Sequence, residues 1–195
     1  LEAVYLARQA GWETVLIDKD PKAPAAALAD EFYNVDLLRN RKQARSALNG
    51  FDLIVPALEN YEALVWLNEN MPFLDIPLAL DLNSYNITCS KKKSNRLFTL
   101  SGIPIPELWP DCGFPVIIKP SNMSGSAGVE KVTDHAYLTS LLNRLGPEVV
   151  IQKFLEGPSY SLEVIADRGR AVSLQVTELQ FDAGFDCKRV IAGPG

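Results

Sequence analysis

The chain has 195 residues, 47% of them apolar and 22% charged, proportions of an ordinary globular protein with room for one large domain or two small ones. Its formal charge of -5 argues against nucleic-acid binding, because the one dense basic cluster, Lys91-Lys92-Lys93, is too short to form an electrostatic footprint. Three well-separated cysteines and one histidine leave no zinc set and no disulfide framework, which fits a reducing cytoplasm, and no apolar run reaches the roughly 18 residues of a membrane span.

The chain opens on Leu1, and LEAVYLARQAG reads as a helix stopped near Gly11. TVLID, Thr14 to Asp18, is a short buried strand closed by an acidic residue. Further strands are expected in EFYNVD, FDLIVPAL and IPLAL, with a helix in YEALVWLNEN between the last two. Strands separated by helices imply a parallel sheet with covered faces. The texture changes near Ser84. Two short helices follow, the second over Lys91 to Leu100 with Ser90 as N-cap and Gly102 as stop. Beyond GIPIPELWP, strands dominate: FPVIIK, GVEKV, VVIQKF, YSLEVIAD, RAVSLQVTELQ and CKRVIA, interrupted by one helix over about Ala136 to Leu145. This second part reads as α+β with a largely antiparallel sheet, and both ends of the chain read as truncations.

Three local features bear on chemistry. In FPVIIKPSNMSGSAGV a buried strand delivers Lys119 to a loop of small residues, including Ser124, Gly125, Ser126 and Gly128. Backbone N–H groups of such a loop can close around phosphate oxygens while the lysine adds a point charge. A flexible hairpin with a surface lysine would look the same, and no Walker A signature is present. In VVIQKFLEG a buried strand runs into Gln152, Lys153, Phe154 and Leu155 and breaks at Gly157-Pro158, which suits either a purine slot or a plain core strand with a turn. Lys91 starts its helix 28 residues before Lys119. Alone it reads as a solvated side chain.

Taken in order, these pieces resemble the ATP-grasp superfamily. The resemblance implies that Lys91 and Lys119 touch phosphates, that Ser124 to Gly128 form a lid, and that Gln152 to Leu155 hold adenine. LIDKDP, ADEFYNVDL, LEN, KKKSNRLFTLSGIPIP, IIKP, EGPSYSLEVIAD and FDC are further similar to the pyrrolysine-biosynthesis ligase family, from residue 1 to about residue 190. That family joins 3-methyl-D-ornithine to the side-chain amine of L-lysine with ATP. The implied fold is α/β: a Rossmann-like pre-ATP-grasp domain over 1–83 lacking its first strand, an ATP-grasp small subdomain over 84–157, and the start of the large subdomain over 158–195. About as many residues again would follow Gly195.

Two departures stand out. Many ATP-grasp enzymes carry a glutamate where Ser159 stands, and an acid where Gln152 stands. Magnesium is implied as a cofactor beside ATP, but its ligands in the superfamily lie on late strands, so no metal residue is assigned.

The implied reaction activates a carboxylate as an acyl phosphate, which an amine then attacks. Cations must hold the γ-phosphate against a second anion, and the amine, with an ordinary pKa of about 10.4, must lose a proton first. In the strand YSLEVIAD, Ser161 and Glu163 share one face and Leu162 takes the other. The resemblance places the ornithine-like substrate at Ser161, Leu162 and Glu163; a polar face on an edge sheet would look identical. Glu59, expected at the carboxyl end of the third parallel strand, suits a lysine ammonium. Asp18 at the end of the first strand suits a ribose or the capping of its own turn. Asp186 has no assigned role. Small-molecule partners are expected, with no nucleic acid and no membrane. The alternatives are another ATP-grasp ligase, of the D-alanine–D-alanine or purine-pathway type, and a nucleotide-binding module without chemistry.

Overall fold

The computed structural model describes residues 1–167 and 169–193. The chain divides into two compact units, the first Leu1–Tyr85 and the second beginning at Asn86. Among the described residues, no helix is long and apolar enough to cross a membrane.

In the first unit α1 (Glu2–Gln9) leads to β1 (Val15–Asp18), which pairs in parallel with β2 (Glu31–Asn34) in the register Val15↔Glu31 to Asp18↔Asn34. Hydrogen bonds fix both ends of this pair. At the entry, the Asp30 carboxylate accepts the Thr14 N–H and hydroxyl, each at 2.8 Å. At the exit, the Asp18 carbonyl accepts the Val35 N–H and the Asn34 amide, both at 3.0 Å. The principal helix is α3 (Tyr61–Leu74), capped by the Asn60 side chain on the Ala63 N–H at 2.9 Å. Its buried residues Ala63, Trp66, Leu67, Asn70 and Met71 recur at three- and four-residue spacing, one face of a helix. Trp66, Leu67 and Met71 pack with Val35, Ala44 and Leu48 into the core of this unit.

Two features of the first unit differ from expectation. The strands expected in FDLIVPAL and IPLAL shrink to one parallel bridge, Ile54↔Leu78. Its two bonds are Ile54 N–H to the Pro77 carbonyl and Ala79 N–H to the Ile54 carbonyl, both 2.9 Å. The next rung on one side would need an N–H from Pro56, and on the other side from Pro77. Proline has none, so the ladder cannot extend either way. The second difference is an unforeseen helix, α2 (Arg41–Ala47), whose charged sequence carries its inward face on Ala44 alone.

In the second unit α4 (Leu82–Thr88), within which the division falls, is followed by α5 (Lys91–Leu100). The Ser90 hydroxyl accepts the Lys93 N–H, and Gly102 follows with φ 68. A three-stranded antiparallel sheet has the order β4 (Glu130–Val132), β3 (Val116–Pro120), β5 (Val149–Lys153). The helix α6 (His135–Leu145), capped by Asp134, lays Leu138 and Leu141 on Val116, Ile118, Val132, Val149 and Cys112. β3 is buried on both faces, as its unbroken Val-Ile-Ile run requires. A second antiparallel sheet is formed by β6 (Ser159–Asp167), β7 (Arg170–Phe181) and β8 (Cys187–Ala192). Its large side chains, among them the paired Leu162 and Val176, are about half exposed.

Candidate functional site

In the second unit Lys91, Lys119 and the loop that holds Ser124 to Gly128 meet at the exit of β3. Ser121, only 1% exposed, is the junction. Its hydroxyl lies 3.1 Å from that of Ser90 and accepts the Lys92 N–H at 3.2 Å, and its carbonyl accepts the Lys91 N–H at 2.9 Å. The first three N–H groups of α5 are therefore all engaged by Ser121 and Ser90. Anion recognition by the bare end of this helix is closed off, and any anion here must be met by side-chain charge and by the loop.

Lys119 and Lys91 supply that charge. Burial, and after it the neighbouring Lys91 ammonium, hold the Lys119 pKa below the ordinary lysine value; burial does the same for Lys91. The Lys91 ammonium donates to the Met123 carbonyl, inside the loop. Among the described residues neither lysine has a carboxylate partner. Two cations pressed together without a counter-charge are costly unless an anion arrives.

The loop between β3 and β4 has a left-handed backbone at Gly125 (φ 61), Ser126 (φ 59) and Gly128 (φ 72). Gly128 is there for two reasons. Its φ disfavours other residues, and a Cβ would stand 2.9 Å from Cγ of Pro120. The loop is internally bonded, Ala127 N–H to Ser124 and Val129 N–H to Ser126.

On β5, Gln152 is held between β3, opposite Ile117, and a bridge to Leu108. The Lys153 ammonium pairs with Glu107 at 3.2 Å. Beyond the ladder Phe154 carries the Lys131 ammonium 3.7 Å above its ring, and Leu155 is 61% exposed. Phe154 and Leu155 thus follow the end of β5 at the entry of β3, where the Phe154 N–H donates to the Pro115 carbonyl at 3.0 Å.

On the second sheet, Ser161 donates to Glu163 at 3.0 Å and meets the Thr177 hydroxyl at 2.7 Å, so Ser161 and Glu163 do share a face. Leu162 lies on the opposite face, paired with Val176, because successive strand residues alternate. The other two candidates belong to the first unit. Asp18 accepts the Asp20 N–H at 2.8 Å and so caps the turn that follows it. Glu59 sits in the loop before α3 rather than at a strand end, since the strand is reduced to its Ile54 bridge; its carbonyl accepts the Tyr85 hydroxyl at 2.8 Å. Sequence reasoning missed Ser121, Lys131 and Phe185. All three lay in segments already noted, FPVIIKPSNMSGSAGV, GVEKV and FDC, but nothing local pointed to their contacts.

Residues 89–189 match the family model described as the ATP-grasp domain. The chain belongs to the ATP-grasp family. Its curated relatives include the 3-methyl-D-ornithine–L-lysine ligase of Methanosarcina barkeri, 31% identical over 193 residues, which are 99% of this chain and 52% of that protein. The chain thus spans about half the length of the curated relatives it matches. Two solved structures share the ATP-grasp fold. The N5-carboxyaminoimidazole ribonucleotide synthetase of Thermus thermophilus superposes with a TM-score of 0.75 at 18% identity, over 95% of this chain and 53% of that one. The L-amino acid ligase of Bacillus licheniformis gives 0.73 at 18% identity, over 100% and 52%.

Proposed function

We propose that this chain forms the nucleotide-binding part of a cytoplasmic ATP-dependent carboxylate–amine ligase. In the same reading it joins 3-methyl-D-ornithine to the side-chain amine of L-lysine, forming pyrrolysine's precursor. The observation that carries the nucleotide site is the Lys91–Lys119 pair, which lacks carboxylate partners among the described residues and stands beside a loop of left-handed small residues. The substrate pair rests on the similarity to the Methanosarcina ligases over 99% of this chain.

In this reading residues 1–83 are the pre-ATP-grasp domain of Rossmann-like type. Residues 84–157 are the ATP-grasp small subdomain, and β6 to β8 begin the large one, whose half-exposed apolar side chains suit further packing. The ammonium groups of Lys91 and Lys119 hold phosphate oxygens, and Ser124 to Gly128 form the lid that covers them. Gln152, Lys153, Phe154 and Leu155 receive adenine. The γ-phosphoryl group passes to a carboxylate oxygen, giving an acyl phosphate and ADP. The lysine amine then attacks the acyl carbon, and phosphate leaves. Ser161 and Glu163 face the ornithine-like substrate, and Glu59 takes the ammonium of the incoming lysine. Among the described residues no three His, Cys, Asp or Glu side chains gather. No metal residue is assigned, and no step is drawn through the metal.

The test is the full-length protein incubated with ATP, magnesium, L-lysine and 3-methyl-D-ornithine, following product mass. A condensed product formed with ADP, and lost when either amino acid is omitted, is the expected result. ADP release with a different acid or amine would keep the ligase and discard this substrate pair. No turnover with any pair would leave a binding module.

A further inference from the structure

The turn between β7 and β8 is built more rigidly than a surface connection needs. Asp182 organises it: one carboxylate oxygen accepts the N–H groups of Gly184 at 2.9 Å and Asp186 at 3.0 Å. Its backbone exchanges bonds with the far side, Asp182 N–H to the Asp186 carbonyl and Phe185 N–H to the Asp182 carbonyl, both 3.0 Å. Lys188 clamps Asp182 at 3.2 Å and Asp186 at 3.5 Å.

The product of this arrangement is one residue in an unfavourable conformation. Phe185 has φ 63, a region that bulky side chains avoid. In that pose it faces two elements at once. Its carbonyl accepts the Ser126 hydroxyl at 2.5 Å, and its ring meets Phe154 edge-on with centroids 6.4 Å apart. Ser126 is itself at φ 59. Two non-glycine residues, 59 positions apart, thus hold left-handed backbones and bond to each other. Phe154 also carries the Lys131 ammonium 3.7 Å from its ring centroid.

We propose that Phe185 is a positioning residue of the nucleotide site, tying the Ser124–Gly128 loop to the purine strand at Phe154 so that the loop is preorganised before nucleotide arrives. This rests on the nucleotide reading given above. It also gives Asp186 a role: with Asp182 it sets the turn that presents Phe185. No covalent step is involved. The benefit is entropic, since a loop already held in place loses less freedom on binding.

The test uses the full-length protein and hydrogen exchange without nucleotide, comparing wild type with Ser126→Ala, Phe185→Ala and Phe185→Tyr. The Ala127 and Val129 amides should exchange about five- to tenfold faster in both alanine variants, the effect of losing one hydrogen bond or ring contact. Amides of β7 and β8 should stay within about twofold, and Phe185→Tyr should restore the loop. In turnover, Phe185→Ala should raise KM for ATP about tenfold while kcat at saturating ATP changes little. Unchanged loop exchange in both alanine variants would overturn the proposal, as would equal acceleration throughout β7 and β8, which marks a merely structural residue. Because the exchange experiment contains no nucleotide, it decides the tie independently; a wild-type protein that fails to bind Mg-ATP would remove the nucleotide reading instead.

Discussion

The hydroxyls of Ser90 and Ser121 lie 3.1 Å apart in the interior of the second unit and join the start of α5 to the end of β3. With the Lys91 N–H on the Ser121 carbonyl and the Lys92 N–H on its hydroxyl, that contact brings Lys91 and Lys119, 28 residues apart in the chain, to the same end of β3.

Replacing Ser121 with alanine should therefore act on both stability and binding. It removes the acceptor of the Lys92 N–H and the partner of Ser90, and should cost about 1–3 kcal/mol in denaturant unfolding. ATP affinity should fall with it, measured by calorimetry, because the start of α5, which carries Lys91, is held less firmly once only the bond to the residue 121 carbonyl remains.

The lysine pair makes a prediction about pH. Both lysines titrate below the ordinary value of 10.5 when folded. Between the folded and unfolded values the unfolded chain holds more protons, so the stability of the nucleotide-free protein should rise with pH through that window. ATP affinity should fall through the same window as the ammonium groups lose their charge. Lys119→Met should flatten both profiles and weaken ATP binding at neutral pH by about 30-fold or more. Unchanged affinity would remove Lys119 from the phosphates.

Gly128 and Gly125 separate steric from conformational cost. Alanine at Gly125 meets open space and bears only the left-handed penalty, about 1–2 kcal/mol. Alanine at Gly128 also collides with Pro120, and should cost about 2–5 kcal/mol. Thermal unfolding of the two variants gives the comparison directly.

Glu59→Gln should raise KM for the amine substrate about tenfold, the loss of one charge-assisted hydrogen bond, with KM for ATP within about twofold. A fall in ATP binding instead would assign Glu59 to a nucleotide site.

How much of this was legible in the sequence depends on how local each cause was. The bounds of α5 were readable because Ser90 and Gly102 are local start and stop signals, and β3 because both its faces are buried. The Ile54 bridge was misread as two strands, since apolar content was weighed without asking which prolines would have to donate. Helix α2 escaped because its inward face is one alanine among charged residues. The Ser126–Phe185 bond was out of reach: it depends on a backbone conformation at each end and on 59 residues of intervening fold.

The two prolines beside the Ile54 bridge have one more effect. Leu53, Ile54 and Val55 form an apolar run in which Leu53 and Val55 remain exposed, 37% and 52%. Such a run is the kind of segment on which a foreign strand can build, and chains that stack there aggregate. Pro56 closes the run with a residue that offers no donor, and Pro77 does the same on the segment opposite. A newly made chain, before its core has formed, thus carries its own protection at one of its stickiest stretches.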